Sequence, residues 1–110
     1  MNNIYTELAS KLLEVERALR KINCWSDITP SPEALSSTQP FAVDTLEFVE
    51  WLQFVFLPQM HLLVEAAAPL PQNCQIAPMA EEYFQGPSEE ITELITLLKA
   101  IDTVLSSQYK

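Results

Sequence analysis

Residues 44–60, DTLEFVEWLQFVFLPQM, decide the fold of this chain. On a helix with about 100° per residue, one broad face of this stretch is apolar. That face carries Phe48, Val49, Trp51, Leu52, Val55 and Phe56. The other side mixes polar and apolar residues, namely Leu46, Glu47, Glu50, Gln53, Phe54 and Leu57. Such a helix is typical of the centre of a small bundle, contacted from several directions. The alternative is that this second set of residues forms an interaction surface.

The segments on either side predict further helices. Apolar residues recur every three or four positions over 3–22, and a similar stripe begins after Ser88. Pro58 cannot donate to the carbonyl four residues before it, so the central helix must kink or restart there. We therefore expect an all-α fold, a compact bundle of about four helices over approximately 3–22, 42–57, 59–68 and 88–107, in a single domain spanning 1–110. The second and third helices are either separate or continuous across the kink.

The start of the central helix has two candidate signals. Asp44 is followed three residues later by Glu47, as in a capping box. The helix could also begin earlier, with Thr38 as the cap and Pro40 in the first turn.

Two long proline-marked loops connect the predicted helices. Residues 23–39 contain Pro30 and Pro32, and we expect an ordered loop that Trp25 pins to the core, with at most a turn of helix at Pro32–Leu35. Residues 69–87 also carry apolar side chains, and they are long for a helix–helix connection. This second loop is therefore either packed down by those side chains or functional.

Composition narrows the class of protein. A single glycine among 110 residues argues against an all-β fold and rules out a glycine-rich phosphate loop. The net charge is −9, of which −8 falls after residue 40. Nucleic acid repels such a surface, so we expect no direct binding to DNA or RNA. A protein partner with a basic surface fits the charge, although surplus acid also promotes solubility.

The expected compartment is the cytoplasm. A mixed-charge helical pattern begins almost at once, unlike a signal peptide, and the apolar runs are far shorter than the roughly 18–20 residues that span a bilayer. In that compartment Cys24 and Cys74 are expected to be reduced and partly buried.

No pattern in the sequence indicates catalysis or a cofactor. His61 and Glu65 could supply two metal ligands, fewer than a site needs, and Cys24 or Cys74 with His61 lacks a local signature of a catalytic dyad. We therefore expect no catalytic residue, metal or cofactor. The alternative is a small-molecule-binding or catalytic domain with a pocket lined by Trp25, Trp51 and His61.

A set of short motifs resembles the YqcC-like family of small bacterial proteins. The motifs are STQPF at 37–41, Asp44-Thr45, EWLQ at 50–53 and Pro58-x-Met60, within which the family-motif positions are Thr38, Gln39, Pro40, Phe41, Asp44, Trp51, Leu52, Gln53, Pro58 and Met60. One departure is Gln59, where the family pattern has an arginine. The resemblance implies a helical bundle without an assigned enzymatic activity, and an association with a tRNA pseudouridine synthase.

Residues and resemblance together lead to one hypothesis. It is a non-catalytic interaction or accessory module, whose partner has a basic surface and could be that synthase. Self-association through the central helix is an alternative, and no membrane partner is expected.

Overall fold

The computed structural model describes residues 4–71, 75–85 and 88–107. Within them the chain forms helices and turns and no strand, which confirms the predicted all-α fold. In chain order the elements are α1 (Ile4–Lys21), α2 (Pro32–Leu35), a 3-10 turn (Pro40–Ala42), α3 (Phe48–Trp51), a π-helical turn (Leu52–Phe56), α4 (Leu57–Glu65), α5 (Ile76–Tyr83) and α6 (Glu89–Ser107). No helix in these ranges has the length and hydropathy needed to cross a membrane.

The predicted second and third helices form one continuous helix, because a π-helical turn accommodates Pro58. The Leu57 N–H donates to the carbonyl of Leu52, five residues back. In a regular α-helix the Pro58 ring would clash with the carbonyl four residues before it. A wider turn immediately before the proline relieves that clash and keeps the helix unbroken, as π-turns do elsewhere.

The central helix begins at Phe48, so both predicted starts are wrong. Phe41 and Ala42 have φ values of 58° and 50°, which a right-handed α-helix does not accommodate. Asp44 does not cap the helix but accepts a hydrogen bond from the Ser37 hydroxyl. The cap is Glu47, whose N–H donates to Glu50 Oε1 at 2.9 Å, the arrangement of a capping box three residues later than predicted.

Two helices end in Schellman motifs built without glycine. After α1, Asn23 has φ 59° and the Cys24 N–H donates to the Leu19 carbonyl at 2.8 Å. After α4, Ala67 has φ 49° and the Ala68 N–H donates to the Leu63 carbonyl at 2.9 Å. Both bonds join the residues that a Schellman motif joins, so they satisfy carbonyls that the helices leave free.

Helix α5 lies inside the predicted second loop, which is thus shorter than expected. The Asp102 carboxylate of α6 accepts hydrogen bonds from the backbone N–H groups of Ile76 and Ala77, both at 2.9 Å. A residue on another helix therefore caps α5. Residues 72–74 and 86–87 of this predicted loop, including Cys74 and the Gly86-Pro87 part of the predicted helix start, lie outside the described residues. Ser88 caps α6 as predicted, because its Oγ accepts a hydrogen bond from the Ile91 N–H at 3.4 Å.

All the longer helices contribute to one hydrophobic core. Helix α1 packs against α6 and α4, and α5 packs against α6. The predicted stripes of α1 and α6 face this core, which includes Leu8, Leu12, Val15, Leu19, Leu52, Met60, Ile76, Leu94, Leu98, Ile101 and Leu105, each at most 2% exposed. Burying one such side chain stabilises the fold by about 1.5–3 kcal/mol. The predicted turn at Pro32–Leu35 is confirmed as α2, with Ser31 as its cap.

Candidate functional site

Gln53 fixes the backbone that follows α1 onto the central helix. It is 7% exposed and lies in the π-helical turn. Its Nε2 donates to the Ser26 carbonyl at 2.7 Å, and its Oε1 accepts from the Ser26 N–H at 2.8 Å. These two bonds pair the side-chain oxygen and nitrogen of Gln53 with both backbone groups of Ser26, as a buried amide requires. The segment 23–26 is therefore held at a defined position beside the helix.

A cleft opens between segment 23–26, the start of the central helix and the end of α5. Its volume is about 570 Å³. It is lined by Asn23, Cys24, Trp25, Ser26, Glu47, Val49, Glu50, Gln53 and Tyr83. These lining residues, all within the described part of the chain, contain two carboxylates and no Lys or Arg. We call this feature the acidic cleft.

Hydrogen bonds hold the two glutamates of the acidic cleft in place. Glu50 Oε1 accepts from the Glu47 backbone, as the capping box requires. The Tyr83 hydroxyl donates to Glu47 Oε2 at 2.9 Å and so joins α5 to the start of α3. Trp25 is half-buried, and the Arg20 guanidinium carbon lies 4.7 Å from the centroid of its ring. The cleft thus presents carboxylate oxygens beside aromatic rings.

The acidic cleft shifts the proton affinity of two of its residues. Burial raises the pKa of the Cys24 thiol, and the negative charge of Glu47 raises it further. Burial also raises the pKa of Tyr83 to about 12, together with its hydrogen bond to Glu47 and the nearby negative charges. Both shifts have the same cause, because desolvation and nearby negative charge disfavour the anions of the two groups.

The predicted interaction surface on the central helix is only partly exposed. Leu46, Gln53 and Leu57 are 7%, 7% and 3% exposed, so they belong to the interior and the prediction is wrong for them. Phe54 and Glu50 are half-buried, and Glu47 is exposed. The π-helical turn adds a residue to one turn and rotates the following positions relative to a regular wheel. The central helix is therefore apolar on both sides for the first of the two predicted reasons, namely that it is packed from several directions.

The predicted pocket residues lie at different places. Trp25 lines the acidic cleft, whereas Trp51 lines a second, apolar groove of about 280 Å³. The apolar groove is lined by Pro40, Phe41, Trp51, Phe56, Gln59, Met60 and Pro71. His61 is half-buried on α4 and lines neither. The three residues predicted to line one pocket therefore do not share either the acidic cleft or the apolar groove.

The family-motif positions meet around the apolar groove and its supporting loop. Pro40, Phe41, Trp51 and Met60 line it, although they come from three motifs. The Phe41 and Trp51 rings meet edge to face with centroids 4.8 Å apart. In the loop before them, the Ser37 hydroxyl accepts from the Gln39 N–H and the Thr45 hydroxyl donates to the Ala34 carbonyl. Six motif positions do not line the groove. Thr38, Gln39 and Pro58 are exposed, and Asp44 accepts a hydrogen bond from Ser37. Leu52 and Gln53 are buried.

Cys24 and His61, which are considered together for nucleophilic catalysis, do not both line the acidic cleft or the apolar groove. Within residues 4–71, 75–85 and 88–107, no three His, Cys, Asp or Glu side chains lie close enough to hold a metal ion. Cys24 is half-buried in the acidic cleft, and Cys74 lies outside the described residues.

Comparison with known proteins identifies the family. The uncharacterised protein YqcC of Escherichia coli is 33% identical over 96 residues, which are 87% of this chain and 88% of that protein. The chain belongs to the YqcC-like family. A solution NMR structure of E. coli YqcC superposes with a TM-score of 0.85 at 29% identity, covering 99% of this chain and 93% of that one. An uncharacterised Haemophilus influenzae protein is likewise 33% identical, over 87% of this chain and 90% of its own length.

Two further matches carry the name of an enzyme. The family model DUF446, described as tRNA pseudouridine synthase C, matches residues 7–104 of the chain. A Pectobacterium carotovorum protein named tRNA pseudouridine synthase C is 43% identical over 67 residues. That match spans 61% of this chain and only 18% of the Pectobacterium protein.

The sequence patterns predict only part of the acidic cleft of this YqcC-like chain. Trp25, Glu47, Glu50 and Gln53 are among the predicted site residues, and Cys24 is considered there only as a nucleophile. Tyr83 is not among the predicted site residues. Tyr83 meets Glu47 across 36 positions of sequence, and no local pattern encodes such a contact. Gln53 is predicted on the interaction surface but is buried, and a signal for its burial exists, since an amide between apolar neighbours on a central helix is typical of a position with buried hydrogen-bond partners.

Proposed function

We propose that this YqcC-like chain is a non-catalytic accessory domain that binds a tRNA pseudouridine synthase through the face that carries the acidic cleft. The similarity to the Pectobacterium protein is the observation that carries the proposal. There a segment like this chain occupies 18% of a protein named tRNA pseudouridine synthase C. Joining two modules in one polypeptide gives each a high effective concentration around the other, which benefits modules that act together.

The charge of the chain supports a protein partner. An enzyme that acts on tRNA contacts a polyanion and needs Lys and Arg on its surface. A chain of net charge −9 repels RNA and is attracted to such an enzyme surface.

The chemistry of the acidic cleft supports binding in preference to catalysis. A catalytic cysteine needs a lowered pKa, because the thiolate is the nucleophile. Burial and the charge of Glu47 raise the pKa of Cys24 instead. The pKa of Tyr83 is also raised, to about 12.

Co-purification with the synthase of the same organism tests the proposal. The two proteins are co-expressed with a tag on this chain, and the purified fraction is treated with ribonuclease before analysis. We expect a stoichiometric complex that survives ribonuclease, and a change in pseudouridine formation on tRNA when the chain is added to the enzyme. Absence of a complex, or loss of the complex with ribonuclease, would contradict direct binding.

The apolar groove supports a second candidate function, the binding of an uncharged small molecule beside Trp51. Phe41, in its wall, holds a left-handed backbone conformation that costs an aromatic residue about 1–3 kcal/mol. Such strain often marks binding sites. A screen of apolar fragments that shifts the Trp51 indole NMR signal and leaves the Trp25 signal in place would support this function, and a screen without hits would refute it.

A further inference from the structure

The acidic cleft has the features of a docking site for one kind of side chain. We infer that it receives an arginine side chain from a loop of the partner protein, with the guanidinium between the carboxylates of Glu47 and Glu50 and the ring of Trp25. The inference rests on the proposed function for the identity of that partner. It adds the chemistry of the contact and the residues that make it.

Charge complementarity is the first support. Between Lys21 and Lys99 the sequence contains eleven Asp or Glu and no Lys or Arg. The ion pairs of the described residues join Arg20 to Glu16, Lys21 to Glu93 and Lys99 to Glu81, and none of them reaches the two glutamates of the cleft. Glu47 and Glu50 line the cleft three residues apart, and no Lys or Arg lines it. A cation from outside the chain would find two carboxylates there and no competing cation.

The second support is a guanidinium that already occupies the same kind of environment in this molecule. Arg20 Nε lies 3.0 Å from Glu16 Oε2, and its guanidinium carbon lies 4.7 Å from the centroid of the Trp25 ring. Arg20 does not line the cleft, yet Trp25 does. The cleft offers a second guanidinium the same combination of carboxylate and indole. Arginine uses both, through directed N–H bonds to oxygen and stacking on aromatic rings.

The walls of the cleft are held before any partner binds. Two hydrogen bonds between Gln53 and the Ser26 backbone fix Ser26, and the bond donated by Tyr83 fixes Glu47. A preformed site loses little conformational entropy on binding. Besides burial, the negative charge of Glu47 contributes to the raised pKa of both Cys24 and Tyr83, which is consistent with a negative potential inside the cleft.

The two tryptophans allow a site-specific test on the intact chain. Trp25 lines the acidic cleft and Trp51 lines the apolar groove, so their indole N–H signals in ¹⁵N NMR spectra report on the two places separately. The probe is N-acetyl-arginine amide, and the matched control is N-acetyl-citrulline amide, which has a similar shape without the charge. We expect a saturable shift of the Trp25 signal with the arginine probe, no shift of Trp51, and no shift with the citrulline probe.

Conservative variants assign the effect to the carboxylates. Glu50→Gln keeps the side-chain oxygen that the capping box uses and removes the charge. It should weaken binding of the arginine probe about tenfold or more, since bonds to charged groups are the stronger ones. Glu65→Gln removes an equally negative, exposed side chain at the end of α4 and should leave binding unchanged. A Trp25 signal that does not respond, or that responds equally in Glu50→Gln, would overturn the inference.

A second arm separates the inference from the proposed function. The synthase is titrated with the unmodified chain and with Glu50→Gln. Binding by the unmodified chain that is weakened in Glu50→Gln supports both. Equal binding by the two refutes the arginine contact and leaves the accessory function standing. If neither chain binds the synthase while the Trp25 signal responds to the arginine probe, the accessory function fails and the docking chemistry stands.

Discussion

Replacing Gln53 with alanine should detach segment 23–26 from the central helix. The amide makes two bonds to the backbone of Ser26, of 2.7 and 2.8 Å, one with its N–H and one with its carbonyl. The substitution removes both partners of the Ser26 backbone and leaves a small void inside the π-helical turn. Trp25, which precedes Ser26, should then lose its fixed position in the wall of the acidic cleft.

The bonds made by Gln53 set the expected magnitude. A hydrogen bond contributes about 1 kcal/mol net, and leaving a buried partner unsatisfied costs about 1–3 kcal/mol. Ser26 is half-buried, so water can replace part of what is lost. We expect Gln53→Ala to lower the free energy of unfolding by about 2 kcal/mol, or the melting temperature by about 8 °C for a chain of this size. Gln53→Glu should cost at least as much at neutral pH, because the introduced carboxylate cannot donate to the Ser26 carbonyl.

Urea denaturation followed by circular dichroism measures the stability, and the Trp25 indole NMR signal reports the position of the segment. Gln59→Ala is the matched control, because Gln59 is an exposed glutamine farther along the same helix. We expect the control to change stability by less than about 0.5 kcal/mol. If Gln53→Ala also falls within that range, or leaves the Trp25 signal in place, the anchoring role of Gln53 is refuted.

Three further predictions concern the helices that frame the site. Asp102→Asn should cost about 1–2 kcal/mol in urea denaturation, because an amide has one acceptor oxygen for the two N–H groups that begin α5; an unchanged midpoint would contradict this cap. Leu98→Ala should cost about 2–5 kcal/mol in the same assay, since Leu98 is fully buried between the helices; a loss below 1 kcal/mol would contradict that packing. The pKa of Tyr83 is about 12, above the value near 10 of an unfolded chain, so its stabilising contribution is complete below pH 10 and disappears as pH rises through 12. The stability difference between the unmodified chain and Tyr83→Phe should therefore shrink between pH 10 and 12, and a constant difference across that range would contradict it.

The parts of the fold that follow from periodicity were predictable. The stripes of α1 and α6 have a helical period and face the core as expected. Trp25 was correctly expected to pin the first loop, and Pro32–Leu35 to form a single turn. Each of these features is encoded by residues close together in sequence.

The parts that failed depend on contacts or backbone conformations that residue types do not reveal. The helix start predicted at Thr38 and Pro40 fails because Phe41 and Ala42 adopt positive φ, a conformation that normally requires glycine or asparagine. The start predicted at Asp44 fails because Asp44 bonds Ser37 and the chain is still extended at Glu47. Helix α5 was missed because Asp102, 25 and 26 residues away, caps it. The candidate site was likewise predictable residue by residue but not as a whole. Trp25 is predicted in a pocket and Glu47 on an interaction surface, whereas both line the acidic cleft.

Titration calorimetry of the purified chain against the tRNA pseudouridine synthase of the same organism tests the central claim most directly. The cleft variant Glu47→Gln/Glu50→Gln is compared with Glu14→Gln/Glu65→Gln, which removes two exposed carboxylates elsewhere and leaves the same net charge. We expect the unmodified chain and the control to bind, and the cleft variant to bind at least tenfold more weakly because charge-assisted bonds are lost. Equal binding by the two double variants, or no binding by the unmodified chain, would contradict an accessory domain that docks through its acidic cleft.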